Sequence, residues 1–340
     1  MNRNLQLAGF TGKLAYFTMK GTPLKKAIRN TMGDLKDSYL KKAFNNVALQ
    51  LEESLPFWKA LESSKKIYPA YIIRIIKAGE INERLAETLE EVANYIDEDE
   101  VLKRDVSAAV RYPAIPVNVL CLLTAYVFIF FMPVVTRMFI DPYLTFPLPT
   151  QIMIFLANTF RNPGFLLIFF GMLAIFDIIV LSGGNIAKKI LYHLPLSGSL
   201  MKKFYASKTA EVTTLMMKNG IPLHESIDIL SKDPDFEPVK SSLKMMSASL
   251  VRGKRFSIAA KESGMFPDLA SWMFEKINNV SALEEFLSTL ASMYRDDLGS
   301  LSYKSGKALA AILSIILFGA VAIVVISVFL PLYQCIGKLQ

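Results

Sequence analysis

Charged residues vanish from three stretches of this chain, and between those stretches apolar positions recur at helical spacing. Twenty-five uncharged residues separate Arg111 from Arg137, and Ala114–Met132 is dense in Val, Leu, Ile and Phe. Thirty more separate Lys307 from Lys338, including Ala308–Leu332. Phe165–Leu181 is interrupted only by Asp177 and runs to Gly183-Gly184. About 20 apolar residues of helix cross a ~30 Å hydrocarbon core, so the pattern predicts three membrane spans. Outside them, Leu85, Leu89, Val92, Ala93 and Ile96 follow i, i+4, i+7, i+8, i+11, the stripe of an amphipathic helix. Asn82 reads as its N-cap, with Glu83 in its first turn. Ser281-Ala282-Leu283-Glu284 reads as a capping box opening a second such helix. Leu5, Leu7, Phe10, Leu14 and Phe17 predict an N-terminal amphipathic arm. Met1–Phe17 has neither the unbroken apolar core nor the small-residue site of a cleaved signal.

The two halves of the chain repeat one another. Pro69 pairs with Pro267, Leu85 with Leu283, Leu89 with Leu287 and Ala93 with Ala291, all at an offset of 198. Phe131-Met132-Pro133 pairs with Phe329-Leu330-Pro331 at the same offset, where two of the spans end. Gly21-Thr22-Pro23-Leu24 pairs with Gly220-Ile221-Pro222-Leu223 at an offset of 199, so one single-residue indel reconciles both sets. The repeat unit is a helical domain followed by one span. Thr22-Pro23 and Ile221-Pro222 place a proline at a helix start, where its missing N–H costs nothing. About 100 residues per unit suffice for a small bundle core. The predicted fold class is an all-α membrane protein with two related cytoplasmic helical-bundle domains and three transmembrane helices. The segments are 1–112 (first domain), 113–136 (span), 137–163 (short periplasmic loop), 164–184 (span), 185–307 (second domain), 308–333 (span) and 334–340 (periplasmic tail).

Composition fits this mixture. The chain has 340 residues, 52% apolar and 20% charged, with a mean hydropathy of +0.35. That is too apolar for an ordinary soluble enzyme and too charged for a chain embedded end to end. The net charge of +8 reflects basic residues concentrated in the two domains. The positive-inside rule therefore places both domains in the cytoplasm and the C-terminal tail outside. No long basic stripe or aromatic platform points to nucleic acid.

Residue patterns that carry chemistry are few. His193 and His224 lack metal-ligand spacing, and two cysteines, Cys121 and Cys335, make no four-ligand zinc site. There is no phosphate loop and no G-x-S-x-G elbow; neither a cofactor nor a metal is expected. Asp97-Glu98-Asp99-Glu100 lacks the glycine-assisted turn of a calcium loop. It reads as a solvated helical surface with i, i+4 pairing, or else as an acidic patch for a basic partner. Asp177 lies about 10 Å inward from Gly184 at 1.5 Å per residue. It serves either as a polar contact or proton-coupled element within the spans, or as an interfacial carboxylate pairing with Lys188 or Lys189 or packed on a neighbouring helix.

Lys77-Ala78-Gly79-Glu80, then Leu85, Leu89, Ala93 and Tyr95, then Tyr112-Pro113, resembles the run "aGE-x-x-G-x-L…L…la-x-y…YP". That run belongs to the inner-membrane platform proteins of type IV pilus assembly and type II secretion. Ile81-Asn82 departs from the usual Ser-Gly, and in the second unit Ile277-Asn278-Asn279 replaces the Gly-Glu pair. The resemblance covers roughly residues 20 to 335 and implies a non-enzymatic scaffold of the bacterial inner membrane, multi-pass, with a cytoplasmic N-terminus. The implied partners are a cytoplasmic assembly ATPase, other inner-membrane pilus components, pilin subunits, membrane lipids and further copies of the chain. Gly79, Glu80, Glu87, Glu91, Tyr112 and Pro113 are the candidate interface or packing residues, and Asp177 the intramembrane polar one. A small transporter or channel subunit is the alternative reading.

Overall fold

The computed structural model describes residues 3–64, 67–111, 114–133, 148–182, 195–277 and 279–337. Every regular element among them is helical. The chain forms two compact units, one drawn from Met1–Val106 and Lys188–Gly299, the other from Ser107–Ala187 and Ser300–Gln340.

In the first unit, the first repeat folds as α1 (Arg3–Met19), α2 (Leu24–Thr31), α3 (Ser38–Glu52), α4 (Phe57–Ser63), α5 (Ala70–Ile81) and α6 (Leu85–Arg111). α1 is not a loose arm. Leu7, Phe10 and Leu14 are buried, and the Phe10 ring lies 4.0 Å from that of Phe44 on α3. The apolar stripe read on α6 is core: Leu89, Val92, Ala93 and Ile96 are all buried. Asn82, however, closes α5 instead of opening α6; its N–H donates to Ala78 O and Glu80 O. Only three residues join the two helices, so Asn82 is claimed by the earlier one.

The rest of the second unit contains α7 (Ala114–Tyr126), α8 (Leu148–Arg161) and α9 (Pro163–Ser182). α7 widens into a π-turn at Val127–Phe131. This turn presents Phe128 to Phe160 of α8, ring centroids 5.1 Å apart. α8 occupies part of the segment expected to be a loop. Met153, Ala157 and Phe160 bury one face of it against Phe128 and Met132, so tertiary packing makes a helix that the sequence pattern alone did not announce. Over the residues whose side chains are described, no single helix is long and apolar enough to cross a membrane. Gln151–Arg161 and Pro163–Ile178 pass that test together, bent by 83°.

The second repeat folds as α10 (Pro195–Lys218), α11 (Leu223–Lys232), α12 (Lys240–Val251), α13 (Phe256–Ser263), α14 (Asp268–Phe274) and α15 (Val280–Gly337). Asn279, not Ser281, caps α15: its Oδ1 accepts from Ala282 N–H at 2.6 Å.

The repeat read from residue offsets recurs in the backbone. Gly21 and Gly220 both hold positive φ, +74° and +85°. Each ends its helix with the same bonds: Thr22 N to Phe17 O, and Ile221 N to Met216 O, both 3.0 Å. This is the left-handed helix stop that glycine makes without steric cost. The stops after α3 and α12 match as well, Leu55 N to Gln50 O and Lys254 N to Ser249 O. There Gly253 (φ 77°) corresponds to Ser54 (φ 61°). Glu83 is the other non-glycine residue at positive φ among those described, at 58°, in the position where the run quoted above carries its second glycine. A left-handed L-residue costs roughly 1–2 kcal/mol. Ser54→Gly and Glu83→Gly are therefore each expected to stabilise the chain by about 1 kcal/mol, read as a rise in the urea midpoint of the purified protein.

Candidate functional site

The chemistry of the first unit is concentrated where α5 and α6 of one repeat meet α10 and α15 of the other. α10 supplies the inner wall. It is rich in small residues from Ala206 to Thr214 and is buried almost all round. In its middle sits Lys208, 2% exposed. Its Nζ donates to Asp235 Oδ2 at 3.3 Å and lies 3.7 Å from Asp99 Oδ1 of the other repeat. The ammonium also stands 5.0 Å from the Phe236 ring centroid and 6.0 Å from that of Tyr71. Lys103 pairs with the other oxygen of Asp99 at 2.6 Å. A buried charge is tolerable only when paired in this way.

Beside this group opens a cavity of about 440 Å³ whose lining includes Tyr68, Tyr71, Tyr95, Asp99, Lys103 and Asp235. The Tyr71 and Tyr95 hydroxyls share a 3.1 Å hydrogen bond. Burial, and then the carboxylate of Asp99, push both phenols well above their ordinary range.

A second charged group lies further along the same seam. Arg295 on α15 bridges Glu211 on α10 and Glu98 on α6. Burial pushes the Glu211 carboxyl up to about 7; Arg295 opposes the shift, and Glu98 and Asp99 add to it. Lys218 also lines the 270 Å³ cavity there. A carboxyl raised in the folded state binds its proton more tightly there than in the unfolded chain. Stability therefore falls as pH rises from about 4.5 to 7 and is level above. The contribution is present at pH 5 and lost by pH 8. Unfolding titrations at the two values should show Glu211→Gln gaining on the wild type as the pH rises.

At the far end of the seam, Asn219 joins both repeats. Its Nδ2 donates to Glu91 Oε2 at 2.9 Å and its Oδ1 accepts from Thr88 Oγ1 at 2.6 Å. Its carbonyl accepts from Asn82 Nδ2 at 3.1 Å. Gly79 is the reason Thr88 stands where it does. A Cβ on Gly79 would lie 2.1 Å from Thr88 Oγ1 and 2.6 Å from Thr88 Cβ.

The residues singled out from sequence thus separate. Gly79 and Glu91 reach the seam. Glu80 turns inward, where its two oxygens accept from Phe57 N and Trp58 N at 2.8 and 2.9 Å. It supplies from α5 the capping carboxylate that Pro56, at the N-cap of α4, has no side chain to give. Glu80→Ala is expected to cost about 1–2 kcal/mol, whereas Glu80→Gln should recover part of that loss through its amide oxygen. Melting curves of the three proteins check this. Glu87 is exposed and pairs with Arg84 at 2.6 Å. Tyr112 and Pro113 lie outside the described residues, as does His193; His224 is exposed. In the second unit Asp177 accepts from Asn118 Nδ2 at 2.8 Å, a polar contact between α9 and α7.

The acidic run of α6 keeps the i, i+4 pairing read from sequence, Asp99 with Lys103, but is solvated only in part: Asp97 and Glu98 are exposed, Asp99 is buried and Glu100 half-buried. Glu98 meets Arg295, Asp99 is buried between Lys103 and Lys208, and Glu100 accepts from Asn4 at 2.7 Å. Lys208, Glu211, Asn219 and Arg295 went unremarked in the sequence. The available signal was a single lysine within the small-residue stretch 206–214, one of whose two partners, Asp99, lay more than 100 positions away.

The model of the family "Type II secretion system (T2SS), protein F" matches the chain twice, at residues 10–133 and 210–331. The chain belongs to that family. Among its relatives is a type IV pilus assembly protein PilC of Myxococcus xanthus, 22% identical, with 97% of this chain and 80% of the relative covered. Another is a type II secretion system protein F of Xanthomonas campestris, 23% identical, covering 97% and 83%. A protein transport protein HofC homolog of Escherichia coli is 24% identical, covering 85% and 73%.

Proposed function

We propose that this protein is an inner-membrane platform of a type IV pilus or type II secretion assembly machine. The observation that carries the reading is the double family match, one per repeat. It is supported by relatives on both the pilus and the secretion side that align over most of their length. In this reading the chain is a scaffold, not an enzyme, and needs no cofactor. It couples a cytoplasmic assembly ATPase to pilin-like subunits in the membrane and works as a homo-oligomer beside other inner-membrane components.

The seam gives this reading a physical basis. A scaffold that passes force must be stiff between its points of contact. Two repeats joined by buried ion pairs and hydrogen bonds move together, where a flexible tether would absorb the displacement. Glu87, exposed on α6, is a suitable reporter. A photo-crosslinking residue placed there in cells assembling filaments should capture the assembly ATPase or its membrane recruiter, and deletion of the gene should abolish surface filaments or secretion. A deletion strain that assembles and secretes normally but shows altered solute flux would favour the transporter reading instead.

A further inference from the structure

α8 and α9 meet at Asn162-Pro163 with a bend of 83°. Asn162 Oδ1 accepts from Gly164 N at 2.9 Å, so α9 begins as a separately capped helix and not as a continuation. The part of α9 whose side chains are described, Pro163–Ile178, is too short to cross a membrane, but the whole helix has 20 residues, about 30 Å at 1.5 Å per residue, the thickness of a hydrocarbon core. α8 has 14 residues, about 21 Å. With α9 upright, a helix of that length at that angle rises only about 3 Å along the membrane normal. It lies flat.

The other arrangement, a single broken span, divides the bend equally. Each helix would then tilt by about 41°, beyond the usual range of 0–40°. The break would fall in mid-membrane, and with it Asn158, Arg161 and Asn162. Arginine in that position is strongly disfavoured. In the flat arrangement the same residues sit at the boundary, where Arg161 reaches water.

The side chains agree with the flat arrangement. One face of α8 is buried by Met153, Ala157 and Phe160. Of the remainder, Ile152 (58% exposed) and Phe155 (71% exposed) lie on one flank with the half-buried Leu156 and Thr159, whose hydroxyl is satisfied by Phe155 O. Arg161, Asn158 and Gln151 lie on the other, with the half-buried Ile154 among them. The exposed residues are thus apolar on one flank and polar on the other, which suits an interface between water and lipid. α9 likewise turns large apolar residues outward, such as Leu167, 76% exposed.

We propose that α8 is a membrane-interfacial helix whose Ile152–Phe155 flank is seated in lipid, with its Asn158–Arg161 flank in water. The inference rests on the inner-membrane reading above. It gives the link between two spans a task, anchoring the end of α9 at a fixed depth.

Spin labels test it in the full chain, reconstituted in phosphatidylethanolamine–phosphatidylglycerol vesicles, with Cys121 and Cys335 replaced by serine. Single cysteines at 152, 155, 158 and 161 carry the nitroxide, and relaxation by oxygen is compared with relaxation by a water-soluble nickel chelate. The expected result is oxygen-dominated relaxation at 152 and 155, at a shallow depth of roughly 5–10 Å, with chelate-dominated relaxation at 158 and 161. A label at 161 deeper than that at 155 would mean a broken span and overturn the proposal. So would equal chelate access at all four positions, or protection from both reagents at 152 and 155, which would put a second copy on that flank. A label at Leu167 keeps the two readings apart: lipid exposure there upholds the membrane reading whatever α8 does, and water exposure there sinks it.

Discussion

Gly79→Ala lowers the melting temperature of the full chain by about 2–4 °C. The new methyl would stand 2.6 Å from Thr88 Cβ, far inside van der Waals contact, and α5 and α6 have to separate to admit it. Overpacking of this kind costs about 1–3 kcal/mol, occasionally more. The better helix propensity of alanine returns at most about 1 kcal/mol. A net loss of roughly 1–2 kcal/mol, at about 1.5–2 °C per kcal/mol in a chain of this size, gives the stated shift. The damage also travels, because Thr88 Oγ1 donates to Asn219 Oδ1 of the second repeat. Removing the Thr88 hydroxyl and methyl alone does not relieve the clash, since the β-carbon of Thr88→Ala stays in place. In a Gly79→Ala background, Thr88→Gly should recover more stability than Thr88→Ala. If Gly79→Ala melts with the wild type, the close approach of α5 and α6 is wrong.

The second large effect belongs to Lys208. Lys208→Met keeps the length and apolar bulk of the side chain and removes the charge. Asp99, 7% exposed, then loses one of its two cations. Breaking a buried pair by deleting one partner costs about 3–5 kcal/mol. The lower end, about 3 kcal/mol, is expected here, because Lys103 still holds Asp99 and Asp235 is open enough to be hydrated. The double variant Asp99→Asn with Lys208→Met should be less damaged than the sum of the two single changes, as in any directly coupled pair. Additive losses, measured by denaturant unfolding, would show that the two groups do not interact.

How much of this could be read in the sequence follows from the range of each signal. The stripe on α6 is local, and its core residues fall where the periodicity puts them. The repeat is long-range but self-indexed. The offset of 199 reappears in the paired left-handed stops at Gly21 and Gly220. Helix ends were less legible. Asn82 is short and polar at a junction of two helices, and only the three-dimensional path decides which helix it closes. α8 was hidden because its stability comes from Phe128 and Met132, outside its own sequence. The acidic run of α6 was legible only in part for the same reason. Its i, i+4 pair is local, but the cations that meet Asp99 and Glu98 from the other repeat arrive from α10 and α15. Glu80 shows the converse: its position was visible, but its task was to cap α4, 22 residues upstream.

If the two repeats act as one mechanical body, its integrity depends on the seam, and hydrogen exchange of the full membrane-embedded chain, wild type and Lys208→Met, is the decisive experiment. The slowest amides of α5 and α6 are expected to open together with those of α10, with one shared opening free energy. Lys208→Met should lower protection in both sets by the same amount. Loss of protection in α10 alone, with α5 and α6 unchanged, would mean that the repeats open independently and that the seam does not join them.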